Sequence, residues 1–295
     1  MARLDFRGGM LFALAMWFYR RTELRAAQAA IFAGLFLVTA VLAGDKREPL
    51  VIGDTFQIES RSLGEKRRIN VYLPPGYAES GETRFPVLYM PDGGIAEDFL
   101  HVAGLVQVGV GNGTMRPFIL VGIENTERRR DMTGPTENAE DRKIAPRVGG
   151  SAAFRKFVRE ELMPDVKARY RTTDETAVVG ESLAGLWVVE TFLLEPDLFD
   201  TYIAFDPSLW WNNQHLVIAS GKALPKQTKL EKTLYIATSG EGTPELAQRL
   251  VDNLKKSAAG GIRITYEKMP EEKHATVYHP AALKAFRALF KPADR

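Results

Sequence analysis

The chain has 295 residues, of which 45% are hydrophobic and 26% charged, and its formal net charge is only +2. This composition predicts a globular protein with a substantial core, and the near-neutral charge argues against a nucleic-acid partner. The absence of cysteine excludes thiolate catalysis, cysteine-bound zinc and disulfide bonds.

The N-terminal segment has the pattern of an export signal. The basic stretch RRTELR at 20–25 precedes 19 uncharged residues, 26–44, and a V-L-A sequence ends at Ala43. This pattern predicts a secretory signal peptide cleaved after Ala43. An uncleaved membrane anchor over 26–44 is the alternative, because about 20 apolar residues span a bilayer. We therefore expect a signal or anchor over 1–43 and a single catalytic domain over 44–295, exported to the periplasm or tethered to the inner membrane.

Strands and helices alternate through the rest of the chain. The first two strands have the pattern of an antiparallel hairpin, and the later strands are apolar on both faces. That pattern predicts an α/β fold with a mostly parallel sheet and helices on both faces. The predicted strands are 53–60, 66–74, 85–94, 117–125, 176–179, 199–208, 232–242 and 262–270. The clearest predicted helices are 96–110, 151–170 with Ser151 as N-cap, 183–194 and 280–290.

A serine stands at the junction of a predicted strand and helix. The strand T-A-V-V ends at Val179, and an apolar stripe with helical spacing begins at Leu183. Between them, Gly180, Ala184 and Gly185 leave room for a tight turn that exposes Ser182 at its tip. The sequence therefore predicts Ser182 as a nucleophile, with a plain helix N-cap as the alternative.

Two further reactive groups follow predicted strands, where ligand sites of such sheets form. Glu241 follows the strand at 232–242, and His274 lies between the last strand and the last helix. The order serine, acid, histidine is that of the α/β-hydrolase triad. Glu241 is the predicted acid, and Asp206, Glu245 and Asp252 are its alternatives.

These residue types predict acyl transfer. His274 would take the proton of Ser182, and the acid would fix the imidazole tautomer and stabilise the imidazolium. The tetrahedral oxyanion would accept hydrogen bonds from the Leu183 N–H and from the backbone of Gly93 and Gly94.

Six ordered segments resemble the esterase D/enterobactin-esterase-like branch of the α/β-hydrolase superfamily, from about residue 53 to the end. They are RRINVYLPPGY, FPVLYMPDGG, VGIENTERRRDMTGPT, FRKFVREELMPDVKARYRT, VVGESLAGLWVVETFLLEPDLFDTYIAFDPSLWWNN and EEKHATVYHPAALKAF. The resemblance implies a serine hydrolase of carboxylic esters, including iron-chelator lactones. It also implies that Ser182 is the nucleophile, that His274 is the base and that the Asp92–Gly94 loop helps to hold the oxyanion.

Candidate substrate contacts surround these loops. Asp92 lies on the expected oxyanion loop, and Trp210 or Trp211 could line the acyl or alcohol pocket. Arg130 represents the cluster 128–130, where one arginine could contact an anionic or catechol-bearing substrate. Glu181 is expected to be a solvated or first-turn helix residue that suits the helix dipole.

The remaining alternatives concern reaction type. The same machinery could pass the acyl group to an alcohol, as an acyltransferase does, or the fold could serve as a non-catalytic binding domain. The sequence has no H-E-x-x-H, metal-ligand cluster or phosphate-binding loop, so we expect no metal or cofactor and a small-molecule ester as the partner.

Overall fold

Residues 52–295 form a compact unit built around one β-sheet. The computed structural model describes residues 48–223, 231–257 and 261–292, so the predicted signal or anchor segment lies outside the described residues. The eight strands are β1 (Asp54–Ser60), β2 (Glu65–Tyr72), β3 (Phe85–Pro91), β4 (Ile119–Ile123), β5 (Thr172–Glu181), β6 (Thr201–Phe205), β7 (Lys232–Ser239) and β8 (Ile262–Met269).

The strand order is β1-β2-β4-β3-β5-β6-β7-β8. β1 pairs antiparallel with β2, β2 pairs antiparallel with β4, and every other neighbouring pair is parallel. The sequence prediction of a mostly parallel sheet with an N-terminal antiparallel hairpin is confirmed. Because β5, β6, β7 and β8 are parallel neighbours, the loops at their carboxyl ends meet at one edge of the sheet.

Helices connect the strands and cover both faces of the sheet. They are α1 (Phe99–Gly111), α2 (Arg128–Asp131), α3 (Ser151–Phe157), α4 (Met163–Arg169), α5 (Leu183–Leu194), α6 (Trp211–Ala223), α7 (Pro244–Ser257) and α8 (Tyr278–Leu289). A π-helical turn, Val158–Leu162, joins α3 to α4. No helix in the described ranges is long and apolar enough to cross a membrane.

Two apolar cores lie on opposite faces of the sheet. Val178 of β5 packs in the core beneath α3, α5 and α7, whereas its neighbour Val179 packs in the core beneath α1 and α8. β6 alternates in the same way, with Tyr202 in the first core and Ile203 in the second. Successive strand residues point to opposite faces, so both must be apolar when both faces are covered.

The helix predicted over 151–170 differs in detail. It forms α3, the π-helical turn and α4 rather than one continuous α-helix. Its N-cap is Gly150, and Ser151 is the first helical residue. The Oγ of Ser151 is buried and has no hydrogen-bond partner among the described residues. The predicted capping role of Ser151 is therefore wrong.

Candidate active site

Ser182 occupies the tip of a sharp turn between β5 and α5. Its φ is 59° and its ψ −117°, a backbone conformation that non-glycine residues adopt rarely and mainly at functional sites. A Cβ on Gly180 would lie 2.7 Å from the backbone carbon of Ala184, and one on Gly185 would lie 2.9 Å from the backbone oxygen of Phe205. The glycines are therefore required because the backbone passes too close for any side chain.

His274 lies against this turn from the loop between β8 and α8. Its Nε2 is 3.2 Å from the Oγ of Ser182, and its ring is nearly half exposed. The backbone N–H of Val277 donates to the Lys273 carbonyl at 3.0 Å, which closes the loop around His274. The structure therefore brings the predicted hydroxyl and imidazole into hydrogen-bond contact.

The carboxylate behind the imidazole belongs to Asp206, not to Glu241. The Nδ1 of His274 lies 3.1 Å from Oδ2 of Asp206. Glu241 instead has a half-exposed side chain whose nearest cationic atom is the Nζ of Lys273, at 3.9 Å. In the described part of the chain, the carboxylates within 4 Å of His274 are those of Asp206 and Glu181. The expectation that Glu241 partners His274 is therefore wrong. Asp206, one of the alternatives that the sequence left open, contacts the imidazole instead.

Asp206 is held firmly by the neighbouring strand end. It directly follows β6 with a φ of 37°, and its side chain is fully buried. The Ser239 N–H donates to Oδ1 at 2.7 Å, and the Ser239 hydroxyl donates to Oδ2 at 2.5 Å. A Cβ on Gly242 would lie only 2.2 Å from Oδ1. The two fallback acids lie on α7, with Glu245 in its first turn and Asp252 accepting a hydrogen bond from Gln248.

The contacts around Asp206 and His274 shift the pKa values of these two groups in opposite directions. Burial raises the pKa of Asp206, but hydrogen bonds from His274 and Ser239 outweigh it and hold the pKa below its usual range. The hydrogen bond to Asp206 raises the pKa of His274, burial opposes it, and the Glu181 carboxylate adds to the rise. Asp206 is therefore a carboxylate at neutral pH, and it favours the protonated imidazole.

The expected oxyanion donors differ in availability. Leu183 is the first residue of α5, so its N–H has no acceptor within the helix. The N–H of Gly93 donates to the Ile123 carbonyl at 3.0 Å, and the N–H of Gly94 donates to Oε2 of Glu97 at 2.6 Å. The prediction that Gly93 and Gly94 offer free donors is therefore corrected, since both amides already have acceptors.

Asp92 and the arginine cluster also differ from expectation. The Arg128 guanidinium donates to both oxygens of Asp92, at 2.7 and 2.8 Å, and Asn125 donates to Oδ1 at 2.6 Å. Asp92 thus orders Arg128 and is not free to bind substrate.

Arg130 is turned away into an ion-pair network. It contacts Glu65 at 2.8 Å and Asp131 at 2.7 Å. Arg128 is instead the arginine whose charge reaches the reactive groups, because it lowers the pKa values of both His274 and Glu181. The prediction that Arg130 contacts the substrate is therefore wrong.

The tandem tryptophans have different environments. Trp211 is buried, and its indole N–H donates to the Gly134 carbonyl at 2.9 Å, so its role is packing and the expected substrate contact is corrected. Trp210 is 41% exposed and lies 6.0 Å from the Trp211 ring. Of the two, Trp210 is the one whose ring is exposed to solvent.

The expectation that Glu181 is a solvated or first-turn helix residue is wrong, because it is the last residue of β5 and its side chain is only 16% exposed. Its Oε1 lies 3.2 Å from the Nε2 of His274, and this oxygen is buried. The available signal was strand alternation: Ala177 and Val179 of β5 face the core beneath α1 and α8, so Glu181 points to that same face.

The sequence matches the family described as "Putative esterase" over residues 60–290. The chain belongs to this esterase family. It is a carboxylic ester hydrolase with an α/β-hydrolase fold.

Individual relatives agree with this assignment. The esterase is 26% identical to the ferri-bacillibactin esterase BesA of Bacillus subtilis, over 78% of this chain and 88% of that protein. It is 28% identical to the siderophore triacetylfusarinine C esterase of Aspergillus fumigatus, over 75% of this chain and 81% of that protein. Among solved structures, an IroE-like serine hydrolase from Shewanella oneidensis is 31% identical, with a TM-score of 0.71 over 81% of this chain and 80% of that chain.

Proposed function

We propose that this esterase cleaves its substrate through an acyl-enzyme on Ser182, with His274 as general base and Asp206 as the orienting acid. The observation that carries the proposal is the continuous contact from Oγ of Ser182 to Nε2 of His274, 3.2 Å, and from Nδ1 to Oδ2 of Asp206, 3.1 Å. A serine hydroxyl is a weak nucleophile until an adjacent base takes its proton, and this geometry supplies that base.

The reaction follows from these positions. The Oγ of Ser182 attacks the ester carbonyl while its proton passes to Nε2, and the Leu183 N–H donates to the developing oxyanion. The C–O bond to the alcohol then breaks, and the imidazolium returns its proton to the departing oxygen. Water attacks the acyl-enzyme by the same route, which releases the acid and restores Ser182. Asp206 keeps Nδ1 protonated throughout, so that Nε2 remains the accepting nitrogen.

Replacement of the nucleophile tests this mechanism. Ser182→Ala should lower kcat for short p-nitrophenyl esters by roughly 10⁶-fold, because loss of the nucleophile removes the covalent route. Circular dichroism should show an unchanged fold, and a fluorophosphonate probe should label the parent protein and not the variant. Esterase activity that survives in the purified variant would remove Ser182 from its proposed role.

The substrate class is proposed to be siderophore-type esters with anionic or catechol-bearing groups. The support is twofold: two relatives are named as siderophore esterases, and two adjoining grooves of about 380 and 600 Å³, the smaller of which is lined by Arg128, are rich in arginine. Arg129 and Arg142 are exposed on this surface. Guanidinium groups suit oxyanions because they donate paired hydrogen bonds in one plane. Apart from Arg130, whose guanidinium is engaged by Glu65 and Asp131, the arginines lining the grooves are Arg128, Arg129, Arg142 and Arg147.

An ester panel distinguishes this substrate class from simple esters. The esterase should cleave an anionic catecholate trilactone with a higher kcat/KM than acetyl, butyryl or long-chain p-nitrophenyl esters, and added salt should reduce that preference. A preference for neutral acyl chains at every salt concentration would reject the siderophore class while leaving the esterase mechanism intact.

We also propose that the protein is exported and that residues 1–43 are a cleaved signal peptide. The support is the basic stretch, the uncharged run of 26–44 and the V-L-A sequence before the expected cleavage site. N-terminal sequencing of protein from the periplasmic fraction should begin at Gly44. Recovery of the uncleaved chain in the inner-membrane fraction would favour the anchor instead.

A further inference from the structure

A second carboxylate contacts the imidazole at the nitrogen that faces the nucleophile. The Oε1 of Glu181 lies 3.2 Å from Nε2 of His274, the same distance that separates Nε2 from Oγ of Ser182. Within the described parts of the chain this oxygen has no hydrogen-bond partner, so its contact with the ring is electrostatic. Nε2 therefore lies beside two described oxygens: the Oγ of Ser182, which gives up its proton in the reaction, and the Oε1 of Glu181, which belongs to a carboxylate.

The surroundings of Glu181 give its charge little compensation apart from His274. The charged groups that face it are His274 and Arg128, which favour the carboxylate, and Asp206 and Asp92, which oppose it. The Arg128 guanidinium is already shared with Asp92 through two hydrogen bonds. A buried carboxylate without hydrogen bonds is costly unless an opposite charge lies beside it. Protonation of His274 creates that charge.

We propose that Glu181 is a positioning residue whose carboxylate favours the imidazolium form of His274 while Ser182 attacks the ester. The inference rests on the proposed function, since it concerns the proton that Nε2 takes from the Ser182 hydroxyl. As the O–C bond forms, the carbonyl electron pair moves to the oxyanion and the proton moves to Nε2. The resulting imidazolium lies between Asp206 at Nδ1 and Glu181 at Nε2.

In the resting enzyme, the carboxylate of Glu181 stabilises the protonated form of His274 and destabilises its neutral form. Catalysis requires neutral His274 at the start, and Glu181 makes that form less favourable because it raises the pKa of His274. The hydrogen bond to Asp206 contributes most to the raised pKa of His274, whereas burial and Arg128 oppose it. Burial raises the pKa of Glu181 itself to about 7, so the two groups titrate as a coupled pair. Glu181 therefore speeds proton transfer above neutral pH and reduces the active fraction below it.

The first experiment needs no catalysis. In Ser182→Ala protein, NMR titration of the His274 ring should give a lower pKa when Glu181→Gln is added, because a negative charge beside Nε2 is lost. The His274 signals are assigned by comparison with a His274→Asn variant. Glu79→Gln, which removes an exposed carboxylate in the loop between β2 and β3, should leave the titration unchanged. An unchanged His274 pKa in the Glu181→Gln protein would overturn the inference.

The second experiment uses the active enzyme. In Glu181→Gln protein the acidic limb of kcat/KM should move to lower pH, and kcat on the alkaline plateau should fall by about three- to tenfold with KM nearly unchanged. Glu181→Asp should restore part of both effects, and Glu79→Gln should match the parent. A fall in kcat without movement of the acidic limb would assign Glu181 a packing role and reject the inference. Absence of esterase activity in the parent with an intact NMR shift would reject the proposed function instead.

Discussion

The imidazole of His274 has a carboxylate beside each of its nitrogens, and the two carboxylates differ in almost every other respect. Asp206, at Nδ1, accepts hydrogen bonds from the Ser239 N–H and hydroxyl as well as from the ring. Glu181, at Nε2, has an oxygen 3.2 Å from the ring that accepts no hydrogen bond from any of the described residues. The side chain of Asp206 is fully buried and that of Glu181 is 16% exposed, so burial does not explain why the first is the more firmly charged.

Hydrogen bonding decides the difference. It holds the pKa of Asp206 below the usual value despite burial, whereas burial dominates at Glu181 and raises its pKa to about 7. The same chemical group therefore serves as a permanent charge on one side of the ring and as a titrating charge on the other. We expect the first to be required for catalysis and stability, and the second to adjust catalysis at the expense of stability.

Removal of the permanent charge is expected to have the largest effect. Asp206→Asn should lower kcat by about 10³- to 10⁴-fold, because the amide no longer holds the productive imidazole tautomer. Steady-state kinetics with a p-nitrophenyl ester measures this loss. Glu241→Gln is the matched control: its side chain is exposed and contacts Lys273 rather than His274, so kcat should stay within about twofold. The reverse outcome would return the acid role to Glu241.

Displacement of Asp206 without removing its charge should have an intermediate effect. A Cβ at position 242 would lie 2.2 Å from Oδ1 of Asp206, so Gly242→Ala must shift the carboxylate or the loop after β7. Misplacement by about 1 Å can cost roughly 10²-fold in rate, and we expect kcat to fall by about 10- to 100-fold.

Gly221→Ala is the control for Gly242→Ala. A Cβ on this α6 residue would meet no atom of the described residues within 4 Å, so the variant should keep the parent kcat. If Gly242→Ala also retained full activity, the close fit around Asp206 would have no bearing on its function.

The sequence could predict the parts of the site that depend on local pattern. Ser182 stands between small residues whose need follows from a tight turn, and His274 follows the last strand in the expected order. Ser182 and His274 come into contact because β5 to β8 are parallel neighbours, so the loops at the carboxyl ends of these strands meet at one edge of the sheet. Glu181 was also predictable in direction, because strand alternation places it on the same face as Val179.

The choice of acid was not predictable in the same way. Asp206 and Glu241 both follow apolar strands, and a positive φ at Asp206 together with the position of Ser239 decides which carboxylate reaches the ring. The partners of the neighbouring arginines could not be predicted either, because they too depend on side-chain direction. Arg128 and Arg130 lie on one short helix and point to different partners, Asp92 and Glu65.

The smallest expected effect concerns stability, and it distinguishes the two carboxylates without any substrate. The pKa of Glu181 is raised from 4.5 to about 7 in the folded protein, so between these pH values the folded state holds the proton more tightly than the unfolded chain. Stability contributed by this group is therefore present at acidic pH and falls as pH rises towards 7. Glu181→Gln removes the buried charge, and denaturant unfolding at pH 8 should show a gain of about 1–3 kcal/mol.

The same variant should differ little from the parent at pH 5, where the proton is already bound in the folded protein. Asp206→Asn should behave oppositely: its lowered pKa means that the carboxylate contributes stability above the unfolded pKa, so the variant should be less stable than the parent at pH 8. Glu79→Gln should leave the free energy of unfolding unchanged at both pH values, because its side chain is exposed.

A Glu181→Gln protein that is less stable than the parent at pH 8 would contradict the argument, since it would mean that the carboxylate has a stabilising partner in solution. A gain in stability combined with a loss of kcat would instead mark Glu181 as a strained group, one that the fold tolerates for its effect on His274.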